Sequence, residues 1–357
     1  MKTRKTVQGL HEYIAGERRE GTIKLSSNEN PFGPSERVMA TVPSVVGDLA
    51  LYPDSAGLTL RRAIANRHDL EVSNVLLGNG SDEVLTLIAA TYLDPDDVIV
   101  VARHTFSQYR FAATLFDART QVADMPTLQP DLNALGAAVA KHHPRIVFVC
   151  SPNNPTGGAL DHEAFSDWLA GLDPEILVVV DHAYQDYVGD PTVLDATGLL
   201  DYHSNLIVLR TFSKVYGLAS ARVGYALAHP DRIAEIGKAR SPFNVGGMSQ
   251  ALATAALSDA AHVEHTVARN AEERDKLRAL LQEIGYQPLV SHANFVCVDV
   301  QTDSRAAAAW FAERGFTIRA LESFGLPTAL RISVGTPEQM RAFGPVVREF
   351  ARCHRKS

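Results

Sequence analysis

Short apolar runs alternate with amphipathic stretches through the middle of the chain. The runs are rich in Val, Ile and Leu and lack polar alternation, which is typical of strands buried on both faces of a parallel sheet. The stretches between them repeat apolar residues at helical spacing. This order predicts an α/β domain with a doubly wound, mostly parallel sheet and helices on both faces. The predicted strands lie at 74–78, 96–102, 145–150, 175–181, 205–210 and 222–228, and the predicted helices at 81–93, 105–116, 161–171 and 230–240.

The pattern changes near residue 262. A long charged helix is predicted over 263–285, and separate apolar strands follow it in place of the regular alternation. The turn-rich residues 24–35, KLSSNENPFGPS, are expected to form no regular element. We therefore predict a large domain over 46–260 and a smaller α+β domain formed by 1–45 together with 261–357. The further strands of the smaller domain are predicted at 293–300 and 329–334, and its further helices at 304–313 and 336–350.

Composition and charge narrow the classes of function. The 357 residues are 46% hydrophobic and 21% charged, as in ordinary globular proteins. A net charge of −7 offers no basic surface for nucleic acid. No stretch approaches about 18 consecutive apolar residues, so we expect no membrane span. Residues 1–13 lack the apolar core of a signal peptide, and we expect a cytoplasmic protein.

The three cysteines have neither zinc-ligand nor disulfide spacing. Cys150 and Cys297 fall inside apolar strand patterns, and Cys353 lies near the end of the chain. An odd number of widely separated cysteines is typical of structural thiols in a reducing compartment. We therefore expect no metal site.

Four loops that follow predicted strands contain the candidate chemistry. In 77–83, LGNGSDE, two glycines precede Ser81 and Asp82 at a helix start, where exposed N–H groups can bind a phosphate. The same residues can also form a simple helix cap. The second loop, 150–158 (CSPNNPTGG), is either an ordinary rigid turn or a site that holds side-chain amides at a strand end.

The third loop begins with Asp181, which ends a run of valines. A carboxylate at that position is costly unless a cation or hydrogen bonds compensate for its burial. Tyr184 follows three residues later and can project into the same crevice. A strand-end aspartate can equally serve as a cap for the next helix.

The fourth loop, 211–224, contains Lys214 shortly after a predicted strand. Thr211, Ser213 and Arg222 can converge on one phosphate, which the arginine would bind through two nitrogens. A lysine at a buried strand end can supply a free amine that reacts with a carbonyl. A solvated lysine beside an arginine salt bridge is the alternative interpretation.

Taken together, the four loops fit one ligand. The carboxyl ends of the strands bring a phosphate cradle, a carboxylate, side-chain amides and an amine to one edge of the sheet. Pyridoxal 5′-phosphate (PLP) offers a phosphate, a ring nitrogen, a phenolic oxygen and an aldehyde to match them. A dinucleotide-binding dehydrogenase is disfavoured because no GxGxxG opens the first strand–helix unit.

The chain resembles the fold-type-I PLP-dependent aminotransferases of class II, and within them the histidinol-phosphate aminotransferase family. The matching motifs run in order along nearly the whole chain. They are KLSSNENPFGPS, YPDSAGLTLRRAIA, LGNGSDEVL, CSPNNPTGG, DHAYQDY, TFSKVYGLASARVGY, SPFNVGGMSQA and LRISVGT. The resemblance implies fold type I, with a seven-stranded sheet in the large domain.

The resemblance also implies how the cofactor is held. Lys214 would form the Schiff base with PLP and move the substrate proton, and Asp181 would pair with the ring nitrogen. Tyr184 and Asn154 would bind the phenolic oxygen, and Phe106 would stack on the ring. The residues implied to hold the phosphate are Gly80, Ser81, Asp82, Thr211, Ser213 and Arg222.

Further positions are implied to contact the substrate or a second subunit. Arg331 would bind the substrate carboxylate or its equivalent, and Arg319 a substrate phosphate. Asn30 lies on the N-terminal segment that would close over the substrate. Tyr52 would reach the cofactor of the neighbouring subunit, which implies a homodimer.

The implied reaction is a ping-pong transamination. L-histidinol phosphate and 2-oxoglutarate would give imidazole acetol phosphate and L-glutamate, a step of histidine biosynthesis, so a small amino donor and an oxo acid are the expected partners. An aromatic amino-acid aminotransferase and a PLP-dependent threonine-phosphate decarboxylase remain open, because they share most of the cofactor residues. His182, which stands where relatives commonly have glutamate, also leaves the substrate open.

Overall fold

The structure is a computed structural model that describes residues 1–10 and 19–354. Its strands are β1 (Ile23–Leu25), β2 (Val75–Gly78), β3 (Val98–Ala102), β4 (Arg119–Ala123), β5 (Ile146–Cys150), β6 (Leu177–Asp181), β7 (Leu206–Thr211), β8 (Gly224–Ala228), β9 (Phe295–Asp299), β10 (Phe316–Ala320) and β11 (Ala329–Ser333). Its helices are α1 (Lys5–Gln8), α2 (Glu36–Val46), α3 (Leu58–His68), α4 (Ser81–Tyr92), α5 (Gln108–Leu115), α6 (Leu132–His142), α7 (His162–Ala170), α8 (Pro230–Gly237), α9 (Gly247–Leu257), α10 (Ala260–Glu283), α11 (Ser304–Glu313) and α12 (Pro337–His354).

A seven-stranded sheet forms in the order β2-β8-β7-β6-β5-β3-β4 among the described residues. Strands β4, β3, β5, β6 and β7 run parallel, while β8 pairs antiparallel with both β7 and β2. The parallel register places Cys150 beside Asp181, and Asp181 beside Leu209, at the carboxyl edge. The predicted α/β fold with a mostly parallel seven-stranded sheet is therefore confirmed.

Apolar side chains cover both faces of this sheet. Consecutive residues of β6, such as Val178 and Val179, belong to separate buried clusters on opposite faces. Helices α6 and α7 contribute Leu135 and Phe165 to one cluster, and α4 contributes Leu85 to the other. Since no polar face remains on the central strands, their near-continuous apolar sequence is explained.

A second sheet has the order β1-β10-β11-β9. Its core contains Leu277 of α10, Phe311 of α11 and Phe343 of α12. The expectation of no regular element over 24–35 was wrong at its start, because Ile23–Leu25 pair in parallel with Phe316–Ile318 of β10. The rest of that stretch up to Ser35 has no helix or strand, and we call residues 26–34 the N-terminal strap.

The division into domains at residues 45 and 260 stays a prediction. Helix α2, which falls in the predicted smaller domain except for its last residue, packs against α9 of the predicted larger one. Residues 11–18 and 355–357 of the predicted smaller domain lie outside the described residues. Among the helices described, none is both long enough and apolar enough to cross a membrane.

Candidate active site

A cavity opens between the carboxyl edge of the large sheet, the small sheet and the N-terminal strap. Residues of all three parts line it, and most of the residues predicted from the sequence motifs are among them. The predicted residues that line it are Ser81, Asp82, Phe106, Asn154, Asp181, Tyr184, Thr211, Ser213, Lys214, Arg222, Arg319 and Arg331. The structure therefore brings together groups that lie far apart in the sequence.

Lys214 is the amine of the cavity. It follows β7 by three residues, and its Nζ lies 3.4 Å from the carbonyl oxygen of Ser27 and 5.5 Å from the centre of the Tyr184 ring. Burial, together with the positive charge of Arg331, lowers the pKa of Lys214 to about 8. A substantial fraction of the amine is therefore unprotonated near neutral pH, as a nucleophile or a base requires.

Asp181 is the buried carboxylate of the cavity. Its Oδ2 accepts a hydrogen bond from the Tyr109 hydroxyl at 2.6 Å, and its Oδ1 accepts one from the backbone N–H of Ala183 at 3.0 Å. Burial raises the pKa of Asp181, while these two hydrogen bonds and the charge of Lys214 act against that rise. A cationic partner in the cavity would relieve the cost of desolvating this carboxylate.

An anion cradle forms where α4 begins. Gly80 adopts a φ of +78°, and a Cβ there would overlap the guanidinium of Arg222. Arg222 in turn donates to Ser213 Oγ at 3.2 Å and pairs with Asp82 at 3.2 Å. The glycine therefore lets the arginine approach the N-terminus of α4, which begins at Ser81, and the helix end and guanidinium together favour a phosphate.

Asn154 and Tyr184 face the cavity with their polar groups already hydrogen-bonded. Arg331 donates to Asn154 Oδ1 at 2.5 Å and to the carbonyl oxygen of Ser26 at 2.8 Å. The Tyr184 oxygen accepts from Asn28 Nδ2 at 2.9 Å. Both residues follow strands of the large sheet. Tyr184 is linked to the strap directly through Asn28, and Asn154 is linked to it through Arg331 of the small sheet.

Arg319 and Arg331 are direct cross-strand neighbours on β10 and β11. Residues opposite each other in an antiparallel pair point to the same face of the sheet, about 4.5–5.5 Å apart at Cβ. Both of these side chains line the cavity. Two arginines that line one cavity favour a ligand with two negative charges, such as a phosphate monoester.

His182, next to Asp181, has a structural role in the fold. Its Nδ1 lies 2.5 Å from the carbonyl oxygen of Ser151, and its Nε2 accepts from the N–H of Ala196 at 2.9 Å. A carbonyl can only accept, so Nδ1 carries the hydrogen and the ring is neutral. Burial lowers the pKa of His182 to about 4, which preserves that state. The ring therefore fixes the start of the loop that holds Asn154.

Three predicted residues do not line the cavity, and one of them is Gly80, which acts by letting Arg222 approach α4. Tyr52 is 84% exposed and stacks on Phe243, with ring centres 4.7 Å apart. Asn30 is buried and donates to the carbonyl oxygen of Val215 at 2.8 Å, so it fixes the strap to the loop after Lys214. Asn28, two residues earlier, lines the cavity instead.

Sequence reasoning missed Asn28 and Tyr109. A signal existed for Tyr109, because it follows Phe106 by three residues in the helix predicted over 105–116. In the structure Phe106 precedes α5, and the two rings meet edge-on at 5.8 Å. For Asn28 the sequence offers two equivalent asparagines in NEN, and only the backbone turn decides which one faces the cavity.

The groups of the cavity fit PLP. The cradle at Ser81 suits the phosphate, and buried Asp181 suits the ring nitrogen. Lys214 suits the aldehyde, and Tyr184 with Asn154 suits the phenolic oxygen. Phe106, half-buried beside Tyr109, is available for the ring.

Comparisons with known proteins agree with this chemistry. Residues 20–343 match the family described as aminotransferase class I and II. A histidinol-phosphate aminotransferase of Moorella thermoacetica is 38% identical over 362 residues, covering 98% of this chain and 93% of the relative. One of Bacillus licheniformis is 39% identical over 324 residues, covering 90% of this chain and 89% of the relative. The crystal structure of histidinol-phosphate aminotransferase from Sinorhizobium meliloti in complex with PLP has a TM-score of 0.91 at 26% identity, covering 99% of this chain and 98% of that chain.

Proposed function

Because this chain belongs to the aminotransferase class I and II family and is a PLP-dependent transaminase, we propose that its amino donor is L-histidinol phosphate. The amino group passes to 2-oxoglutarate, and the products are imidazole acetol phosphate and L-glutamate, as in histidine biosynthesis. The full-length similarity to histidinol-phosphate aminotransferases supports this choice over other amines.

The adjacent arginines are the observation on which the substrate proposal depends. Arg319 and Arg331 together match the charge of a phosphate monoester. Glutamate and 2-oxoglutarate, the partners in the other half-reaction, each carry two carboxylates, of which Arg331 would bind the α-carboxylate and Arg319 the second. An aromatic amino acid has one carboxylate and no second anion, so it would leave Arg319 without a ligand to bind.

PLP, when bound, supplies the aldehyde that takes up the amino group and a ring that withdraws electrons from the substrate α-carbon. Asp181 would hold a proton on the ring nitrogen by opposing its charge in a buried environment. Ser81, Ser213 and Arg222 would hold the phosphate. Tyr184 and Asn154 would orient the ring through its phenolic oxygen.

Lys214 would move the proton between the substrate α-carbon and the cofactor. Its Nζ accepts the proton when it is unprotonated, which the lowered pKa of about 8 allows. The Tyr184 ring and the Ser27 carbonyl lie beside the amine and limit where it can swing. In the other half-reaction the same atom would carry a proton in the reverse direction.

We further propose a cytoplasmic homodimer that shares its two sites. Large apolar side chains stay exposed on α2 and the segment after it, among them Met39, Leu49 and Leu51. Tyr52 and its stacking partner Phe243 continue this surface. Such a patch favours a second copy of the chain, to whose cavity Tyr52 would contribute its hydroxyl. Unpaired, mostly buried cysteines suit a reducing compartment.

The test is a comparison of amino donors with the purified holoenzyme and 2-oxoglutarate. We expect glutamate formation with histidinol phosphate at a kcat/KM at least about tenfold above that with phenylalanine. The reverse order would replace the proposal with an aromatic amino-acid aminotransferase. Release of carbon dioxide from O-phosphothreonine without an amino acceptor would replace it with the decarboxylase.

A further inference from the structure

We propose that Asn28 is a positioning residue whose amide, held by Ser333, directs the hydroxyl proton of Tyr184 into the cavity. This inference rests on the proposed role of Tyr184 at the cofactor, and it does not depend on which amine is the substrate. Asn28, a residue of the strap, would act through Tyr184 and would not itself contact the reacting atoms.

A chain of hydrogen bonds fixes the direction of each donor. The backbone N–H of Asn28 donates to Ser333 Oγ at 2.8 Å. The Ser333 hydroxyl donates in turn to Asn28 Oδ1, also at 2.8 Å. Because the amide oxygen is used in this way, Nδ2 faces the other side and donates to the Tyr184 oxygen at 2.9 Å. The phenol oxygen is therefore an acceptor in this bond.

The consequence concerns the one hydrogen that the phenol has to donate. Because the Tyr184 oxygen accepts a hydrogen bond from the Asn28 amide, the hydroxyl hydrogen of Tyr184 points in another direction. Tyr184 lines the cavity, and its ring lies beside Lys214. When PLP is bound, its phenolic oxygen would be the acceptor for this hydrogen. An amide that instead accepted from Tyr184 would draw the hydrogen away from the cavity.

Asn28 is well suited to this task by its backbone. Its φ is +55°, in the left-handed region that asparagine and aspartate tolerate better than most residues. The side chain is 1% exposed, so water does not compete for its amide. Its carbonyl oxygen also accepts from Asn294 Nδ2 at 3.0 Å, which fixes the turn against the small sheet.

The informative variant is Asn28→Asp, which keeps the shape and the backbone tolerance but replaces the donor with an acceptor. Tyr184 would then donate to the new carboxylate and no longer to the cofactor. A hydrogen bond donated to a phenolic oxygen favours the deprotonated form and lowers the pH at which the chromophore titrates. In the substrate-free holoenzyme we expect the midpoint of the pH-dependent visible absorption to rise by about one pH unit.

The negative charge of the variant also acts directly, and a double-mutant cycle separates the two effects. Asn28→Asp is therefore compared in the natural background and in Tyr184→Phe, which lacks the hydroxyl. We expect the shift to be at least twofold smaller in the Tyr184→Phe background. A shift of equal size in both backgrounds would overturn the proposal, because the hydroxyl would then have no part in it.

Two further variants complete the experiment. Ser333→Ala removes the group that fixes the amide and should raise the midpoint less than Asn28→Asp does. It also provides the test if Asn28→Asp does not fold, and an unchanged midpoint in Ser333→Ala would then overturn the proposal. Tyr187→Phe is the matched control, since its buried hydroxyl lies 3.5 Å from Asn294 Nδ2 and it does not line the cavity. Every measurement omits substrate, so a preference for phenylalanine would reject histidinol phosphate and leave this inference standing.

Discussion

Tyr109 and Asp181 form a fully buried hydrogen-bonded pair, with the phenol donating to the carboxylate at 2.6 Å. Tyr109 also stacks in parallel on Phe148, with ring centres 5.0 Å apart, which fixes the direction of its hydroxyl. The phenol lowers the pKa of a carboxylate that burial would otherwise raise further. Asp181 is therefore kept ready to oppose a positive charge in the cavity.

Replacing Tyr109 with phenylalanine should weaken PLP binding. Asp181 would keep only the Ala183 N–H as a donor, its pKa would rise, and a protonated carboxyl cannot oppose a charged ring nitrogen. A hydrogen bond to a charged group contributes roughly 1.5 kcal/mol, so we expect the Kd for PLP to rise about tenfold. Equilibrium dialysis of the apoprotein measures it. Tyr216→Phe is the control, because that buried hydroxyl has no hydrogen-bond partner among the described residues, and equal effects of the two variants would contradict the role of Tyr109.

Replacing Arg319 with alanine should change substrate preference. If this arginine binds a substrate phosphate, kcat/KM for histidinol phosphate should fall at least about tenfold more than kcat/KM for phenylalanine. Steady-state kinetics with both donors provides the ratio. Arg305→Ala is the control, since Arg305 lies exposed on α11 in an ion pair with Glu322 and does not line the cavity. Equal losses with the two donors would show that Arg319 does not discriminate.

Uptake of PLP by the apoprotein should accelerate with rising pH. Lys214 reacts with the aldehyde as the free amine, and its pKa of about 8 means that the free fraction rises about tenfold between pH 7 and pH 9. Stopped-flow absorbance of PLP follows the reaction. Lys214→Ala should abolish both the absorbance change on mixing with PLP and the transamination activity. Lys141→Ala, at the exposed end of α6, should leave both unchanged. A rise of about a hundredfold over this range, as an amine with the ordinary lysine pKa would give, would contradict the lowered pKa.

Replacing Gly217 with alanine should destabilise the protein through the strap. Gly217 has a φ of +67°, and a Cβ there would overlap the carbonyl of Gly33. Gly315 also has a positive φ, +85°, but nothing lies within 4 Å of the position that its Cβ would take. Gly315→Ala should therefore lower the free energy of unfolding by about 1 kcal/mol from backbone conformation alone. Gly217→Ala should lower the free energy of unfolding at least twice as much, as measured by urea titration. Similar losses in the two variants would mean that the strap moves away from the new Cβ without destabilising the protein.

A thiol reagent should modify one of the three cysteines in the native protein. Burial raises the pKa values of Cys150 and Cys297 to about 12, so neither forms a thiolate near neutral pH. Cys353 is exposed on α12. Counting released chromophore at pH 8 should give one thiol per chain, and three after denaturation. A Cys353→Ser variant that still reacts before unfolding would contradict the burial of the other two.

The strongly patterned elements of the fold could be predicted, and the weakly patterned ones could not. The buried runs that became β5, β6 and β7 are apolar except at the carboxyl ends of β6 and β7, so their sequence identifies them. Strand β4 was missed because its residues RTQVA are mostly half-exposed at the sheet edge, where polar side chains are tolerated. Strand β1 has three residues, and only its pairing with β10 defines it. Helix α6 was also missed, although its Leu132, Leu135 and Val139 follow helical spacing.

The candidate site divides in a similar way. Lys214, Asp181 and Ser81 lie at the carboxyl ends of strands or within three residues of them, and the order of the sheet is enough to bring them together. Asn28 and Asn30 differ only in a local turn with positive φ, which determines that one faces Tyr184 and the other faces the carbonyl oxygen of Val215. Which asparagine faces the cavity depends on contacts with a strand some 300 residues away in sequence, and these contacts cannot be predicted from the local sequence pattern.

The contact between Asn28 and Ser333 joins residues 305 positions apart. During synthesis on the ribosome, the strap emerges some 300 residues before its anchoring strand β11. The phosphate cradle, Asp181 and Lys214 can all fold before β11 leaves the exit tunnel, because the large sheet ends at Ala228. A nascent chain can therefore acquire the groups that capture PLP while the wall formed by Arg319, Arg331 and the strap is still unbuilt. Emergence of β11, rather than folding of the large sheet, therefore sets the moment at which the pocket can close.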